Sequence, residues 1–222
     1  SFVFECQNTK IGVLICEDQW VEGPISSLCQ SNIDIVVSLN ASPFQLNKQS
    51  ERINICKNYA IKFDITFIYV NMVGGQDEVV FDGNSFIVNN QGDVSLQLPA
   101  FKELCVSHTD KTFTPSLVSN ESLIYSAIVL ATKDYIQKNT FGGALIGLSG
   151  GIDSALTLAI AVDAIGAENV HAIMMPYQFT SDMSLTDSEL QAETQGVEFS
   201  SCLLYTSPSP RDAHESRMPS SA

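Results

Sequence analysis

Residues 143–154 read GALIGLSGGIDS. Gly143 to Leu148 is an apolar, strand-like run. It breaks into serines and glycines, and Ser154 to Ile165 then carries apolar side chains at helical spacing. The stretch reads as strand, loop, helix. Gly150 and Gly151 let the backbone come close to a ligand, and Ser149 and Ser154 supply hydroxyls. The helix that follows starts with free N–H groups, which suit an anion. Val170 to Met175 is the next strand. A strand–loop–helix–strand unit of this kind opens a doubly wound α/β fold, in which ligands sit at the strand ends.

The order of elements extends outward on both sides. Downstream, Ser184 and Asp187 are placed to cap a helix over about 185–194, with Gly196 as its stop. Met174 and Met175 read as core. Upstream, a helix is expected from about Glu121 to Asn139, with Leu123, Ala127, Leu130, Ala131 and Tyr135 on one side. Before it, residues 109–120 (TDKTFTPSLVSN) are polar and contain a proline, which marks a linker.

The N-terminal half alternates in the same way. The chain begins inside an apparent strand, and residues 10–16 (KIGVLIC) form another, buried one. A short helix opens near Pro24, and Asp34 to Asn40 is strand-like. Arg52, Ile53, Cys56, Tyr59, Ala60 and Phe63 recur at helical spacing, and the apolar members face a core. Ile65 to Met72 is strand-like. Asn90-Gln91-Gly92-Asp93 is a turn between Ser85–Asn89 and Val94–Leu98. Helices between strands argue for α/β layers, and the hairpin argues for mixed rather than purely parallel pairing.

Composition narrows the function. The chain has 222 residues, of which 45% are apolar and 16% charged, enough for a buried core. Lys and Arg total 11 against 25 Asp and Glu, a net charge of −14. That balance opposes nucleic-acid binding and anionic membranes, and no apolar run is long enough to span a bilayer. The six cysteines form no CxxC, and none joins a histidine at zinc-site spacing. A reduced, cytoplasmic protein is expected. His108 and His171 lie in apolar runs and read as structural residues. Residues 202–222 (CLLYTSPSPRDAHESRMPSSA) are rich in proline and serine without periodicity. This tail resembles translated adaptor sequence and is set aside from fold reasoning.

Two strings carry chemistry. Cys16 closes an apolar strand and is followed by Glu17-Asp18-Gln19-Trp20, so a sharp turn could present its thiol to a pocket. The string GVLICEDQW (12–20) resembles the nucleophile segment of the nitrilase superfamily. Asn40-Ala41-Ser42-Pro43-Phe44 with Lys48 resembles the next loop of that domain. Residues 69–86 (YVNMVGGQDEVVFDGNSF) resemble the glutaminase domain of glutamine-dependent NAD synthetases. GLSGGIDS (147–154) has no lysine after its glycines, so it is not the GxxxxGK[ST] loop. It resembles the SGGxDS loop of pyrophosphate-loop ATPases, and residues 173–188 resemble the segment after it, with Tyr177-Gln178 where that family usually has Ser-Arg.

The resemblance implies an α/β chain in four parts: the C-terminal part of a nitrilase-like αββα sandwich (1–108), the linker (109–120), the first part of a Rossmann-like pyrophosphate-loop nucleotide-binding domain (121–201) and the tail (202–222). It implies that Cys16 is the nucleophile of a Cys–Glu–Lys triad whose other members would fall upstream of Ser1. Glu5 and Glu17 are not assigned to that role, and Glu17, Asp18 and Trp20 are expected to shape the turn. Ser42 and Lys48 would contact glutamine; each also reads as an ordinary loop residue. Gly147, Leu148, Ser149, Gly150, Gly151, Ile152, Asp153 and Ser154 would bind ATP. Asp153 either holds Mg²⁺ or caps the loop. The implied reaction amidates nicotinic acid adenine dinucleotide to NAD with ammonia from glutamine, through an adenylate. The family assembles as homo-oligomers. A related amidotransferase with another acid substrate, and a non-catalytic truncated fragment, are the alternative readings.

Overall fold

The computed structural model describes residues 2–107 and 118–204. His108, the linker stretch 109–117 and the tail from 205 onward lie outside the described residues. The chain divides into two compact units, Ser1–Tyr135 and Ile136–Ala222.

In the first unit, β1 (Phe2–Cys6) and β2 (Thr9–Ile15) pair antiparallel. Gln7 and Asn8 turn the chain with positive φ. A 3-10 turn, Cys16–Trp20, precedes α1 (Glu22–Cys29), β3 (Ile35–Asn40), α2 (Lys48–Phe63) and β4 (Thr66–Asn71). Strands β2, β3 and β4 are parallel neighbours, each joined to the next through a helix, as parallel pairing requires. β5 (Val73–Gln76) and β6 (Val79–Asp82) form a separate hairpin. β7 (Phe86–Val88) and β8 (Val94–Gln97) return to the main sheet antiparallel. The sheet order is β1-β2-β3-β4-β7-β8. The mixed pairing expected from the 85–98 hairpin is present.

The two faces of this sheet differ. Leu14, Ser38, Tyr69 and Phe86 lie across one row, and Val36, Phe67 and Val88 across the next, all buried. Ile25 and Leu28 of α1 and Cys56 and Ala60 of α2 complete this core. Alternation puts Ile15, Leu39 and Val70 in one row of the opposite face, where they are 65%, 48% and 41% exposed.

The division between units falls within α3 (Asn120–Lys138). Ala127 is buried and Leu123, Leu130 and Ala131 are half-buried, whereas Tyr135, expected on the same side, is exposed. The second unit runs β9 (Ala144–Leu148), α4 (Ile152–Ile165), β10 (Val170–Met174), α5 (Asp182–Gln195) and β11 (Glu198–Ser201). Its strands are parallel in the order β11-β10-β9. Leu148, Leu158, Ala161, Val170, Ala172 and Ala192 form its core.

Two expectations change here. The N-cap of α5 is Ser181, whose hydroxyl accepts the Ser184 N–H at 3.2 Å, so the helix begins a turn earlier than the 184–187 cap reading. Met174 is core, but Met175 is half exposed because β10 has ended. Gly196 ends α5 in the left-handed region as expected. Among the described residues, no helix is long and apolar enough to cross a membrane.

Candidate functional site

Each unit places one of the two chemical strings at the C-terminal end of a parallel strand. In the first, β2 ends at Ile15 and Cys16 follows with φ 45°. A left-handed Cys is uncommon, and such conformations cluster at functional turns. The turn is tied back on itself: the Asp18 carboxylate accepts the Ile15 N–H at 3.1 Å. Asp18 therefore shapes the turn, as expected. Cys16 is half-buried. Cys56, by contrast, is fully buried on α2, and burial pushes its thiol well above the usual range, so it is no nucleophile.

The neighbouring strand end supplies the next loop. Ser42 follows β3 and is buried, its N–H donating to Asn71 Oδ1 at 2.9 Å. The Ser42 carbonyl accepts from Asn71 Nδ2 at 3.2 Å and from Arg52 Nη2 at 3.0 Å. Lys48 opens α2, where its ammonium lies 4.1 Å from the centre of the Trp20 ring and 2.8 Å from Glu51. Trp20 is four residues beyond Cys16, so this cation–π contact joins Lys48 to the Cys16 turn. Gln19, fully buried, accepts the Ser38 hydroxyl at 2.9 Å and ties that turn to β3.

Sequence reasoning missed the group beneath these loops. Arg52 occupies a core-facing position of α2 and is fully buried. Its Nη1 donates to both oxygens of Asp82 at 2.9 and 3.0 Å. Asp82, at the end of β6, also accepts from Asn84 Nδ2 at 2.7 Å. A charged residue within an apolar helical stripe was the one available signal. Tyr69 sits beside Ser42 and Gln19, and its burial raises the phenol above its ordinary range while those neighbours and Arg52 oppose the shift.

In the second unit, Ser149, Gly150 and Gly151 join β9 to α4. Gly150 has φ +77°, and a Cβ there would lie 2.7 Å from the Ser184 carbonyl oxygen and 2.8 Å from its Cα. Only glycine fits that position. At Gly151 the nearest atom to an added Cβ would be the Ser149 hydroxyl at 3.4 Å, an ordinary contact. The two serines close the loop: their hydroxyls are 3.1 Å apart, Ser149 Oγ accepts the Gly151 N–H, and Ser154 Oγ accepts the Ser149 N–H. Gly147 and Leu148 are the last residues of β9, and Ile152 and Asp153 begin α4. Gly151, the N-cap, has no side-chain cap bond. The Asp153 side chain is exposed in the first turn of α4. Among the described residues, no three His, Cys, Asp or Glu side chains gather as a metal site. One exposed carboxylate beside this glycine–serine loop would fit Mg²⁺ carried mainly by phosphate oxygens and water, not an all-protein cage.

His171 is satisfied, its Nε2 being 2.8 Å from Ser200 Oγ and its Nδ1 3.5 Å from Glu198.

Comparison with known proteins follows this division. Residues 2–114 match the family model described as carbon–nitrogen hydrolase, and residues 124–206 that of NAD synthase. The chain is 45% identical over 205 residues to the glutamine-dependent NAD(+) synthetase of Acinetobacter baylyi, covering 89% of this chain and 38% of the relative. It is 39% identical over 218 residues to that of Synechocystis, covering 89% of this chain and 39% of the relative. The solved glutamine-dependent NAD+ synthetase of Acinetobacter baumannii, in complex with ADP, superposes with a TM-score of 0.83 at 44% identity, covering 91% of this chain and 40% of that one. The chain spans about two fifths of the length of the curated relatives it matches.

Proposed function

The chain belongs to the carbon–nitrogen hydrolase family, followed in the same polypeptide by an NAD synthase segment, and we propose from this that the protein is a glutamine-dependent NAD synthetase. The observation that carries the reading is the placement of both strings in one chain. Cys16 sits on a left-handed turn after β2, and SGGIDS runs from the end of β9 into the first turn of α4.

At the first site, Cys16 Sγ attacks the side-chain amide carbon of glutamine. The C–N bond breaks, ammonia leaves, and water then hydrolyses the thioester to glutamate. Ser42 and Lys48 hold the α-carboxylate and amino end of the substrate. At the second site, Gly147–Ser154 binds the phosphates of ATP. The free N–H groups at the start of α4 face their charge. The carboxylate of nicotinic acid adenine dinucleotide attacks the α-phosphorus, pyrophosphate leaves, and ammonia displaces AMP to give NAD. Asp153 is the residue that would hold Mg²⁺, which would neutralise phosphate charge. Ammonia is nucleophilic only unprotonated, which favours transfer out of contact with bulk water. The substrates are small molecules, with neither nucleic acid nor membrane involved; the protein is cytoplasmic and assembles as a homo-oligomer.

The test is glutamine-driven NAD formation by the full-length gene product, followed with amide-¹⁵N glutamine. Label in the NAD carboxamide supports the proposal, and glutamine hydrolysis without labelled NAD would overturn it. Lys48→Ala in the same assay is expected to raise the glutamine KM about tenfold or more, as loss of a charged contact does, with the ammonia-driven rate as control. A glutamine KM within twofold of the parent would remove Lys48 from the site.

A further inference from the structure

The polar cluster beneath the first site is poorly explained by stability. A buried ion pair such as Arg52–Asp82 is often no better than apolar residues of the same volume. Two more atoms of the cluster, Gln19 Nε2 and Arg52 Nε, are buried without a hydrogen-bond partner among the described residues. What the cluster holds is the loop after β3. Arg52 Nη2 lies 3.0 Å from the Ser42 carbonyl, the Ser42 hydroxyl oxygen and the Pro43 carbonyl. Asp82 fixes the other arm of the same planar fork.

This arrangement constrains the Ser42 hydroxyl. The group has one proton and two lone pairs. With Arg52 donating to one lone pair, the proton has to point away from the guanidinium, and the adjacent positive charge polarises the O–H bond. We propose that Arg52 is a positioning residue of the glutamine site, which fixes Ser42 so that its hydroxyl meets the substrate's α-carboxylate as a donor. The inference rests on the reading of Ser42 as a glutamine contact.

The experiment measures glutamine and ammonia kinetics separately in the full-length protein, for Ser42→Ala, Arg52→Lys and the two combined. Lysine keeps the charge but loses the fork. Ser42→Ala and Arg52→Lys are each expected to raise the glutamine KM about tenfold, the loss associated with one hydrogen bond to a charged group, with kcat for glutamine within a fewfold. The double variant is expected to be no worse than Ser42→Ala alone. The glutamine kcat, which needs an intact Cys16 turn in the same compact unit as Ser42 and Arg52, reports whether that unit is folded in each variant, and ammonia kinetics report on the second unit. If Arg52→Lys fails that control, the pair Arg52→Met with Asp82→Leu replaces it. That variant leaves no unpaired buried charge and is expected to show the same KM rise. If Ser42→Ala leaves the glutamine KM unchanged, the assignment of Ser42 is wrong. If Ser42→Ala raises it and neither Arg52 variant does, the assignment stands and the inference is overturned. It is equally overturned if Arg52→Lys adds its full effect on top of Ser42→Ala.

Discussion

Cys16→Ala in the full-length protein is expected to lower glutamine-driven NAD formation by about 10⁴-fold or more, the scale of removing a covalent nucleophile. Ammonia-driven formation is expected to stay within about twofold of the parent. The asymmetry follows from the division of the chain: Cys16 belongs to the first compact unit, and the loop proposed to bind phosphate, Ser149–Ser154, is built entirely from residues of the second. Alanine keeps a Cβ on the left-handed backbone, so the turn held by Asp18 is altered only by loss of the sulfur. Rates measured with saturating glutamine and with saturating ammonium, on one preparation, decide the matter. Loss with both donors would mean that the two sites cannot be treated as separate.

Gly150→Ala is expected to give the complementary pattern, a loss of about 10²-fold or more with either nitrogen donor. The added Cβ would meet the Ser184 backbone at 2.7–2.8 Å, and the residue would have to hold φ +77°. Backbone on the far side cannot swing away as a flexible side chain would. The loop must therefore shift, and displacement of a binding group by about an ångström can cost this much in rate. Gly142→Ala is the matched control, because a Cβ there meets nothing within 4 Å and the backbone is not left-handed. Steady-state rates with both donors, beside the ATP KM, check the prediction. A Gly150→Ala enzyme with parental rates would show that the loop does not need this approach to Ser184.

The elements that could be read from sequence were those with a period or a stop signal. β2, β3 and β4 are apolar runs, α2 has a stripe, and Gly92 and Gly196 mark a turn and a helix end. The β5–β6 hairpin was not legible, because Val73-Gly74-Gly75-Gln76 has too little side chain to alternate and Asp77-Glu78 reads only as polar. The start of α5 was misplaced because Ser181 and Ser184 offer the same chemistry one turn apart. Within the candidate site, Cys16 and the SGGIDS loop are local strings. The Arg52–Asp82 pair spans 30 positions, and Trp20 and Lys48 meet only when β2 and β3 are side by side. No spacing rule links residues that a sheet brings together.

The open row of Ile15, Leu39 and Val70 changes what a melting curve of these 222 residues means. Burying such a side chain completely contributes about 1.5–3 kcal/mol. About half of each side chain is already covered, so drying the rest of all three would contribute on the order of 2–5 kcal/mol, still a sizeable share of the roughly 5–15 kcal/mol margin of a small domain. A sheet wet on one face therefore has a stability that is not a constant of its sequence. Any association that dried the row would favour the folded state by mass action, and an unfolding midpoint that rises with protein concentration would be its signature.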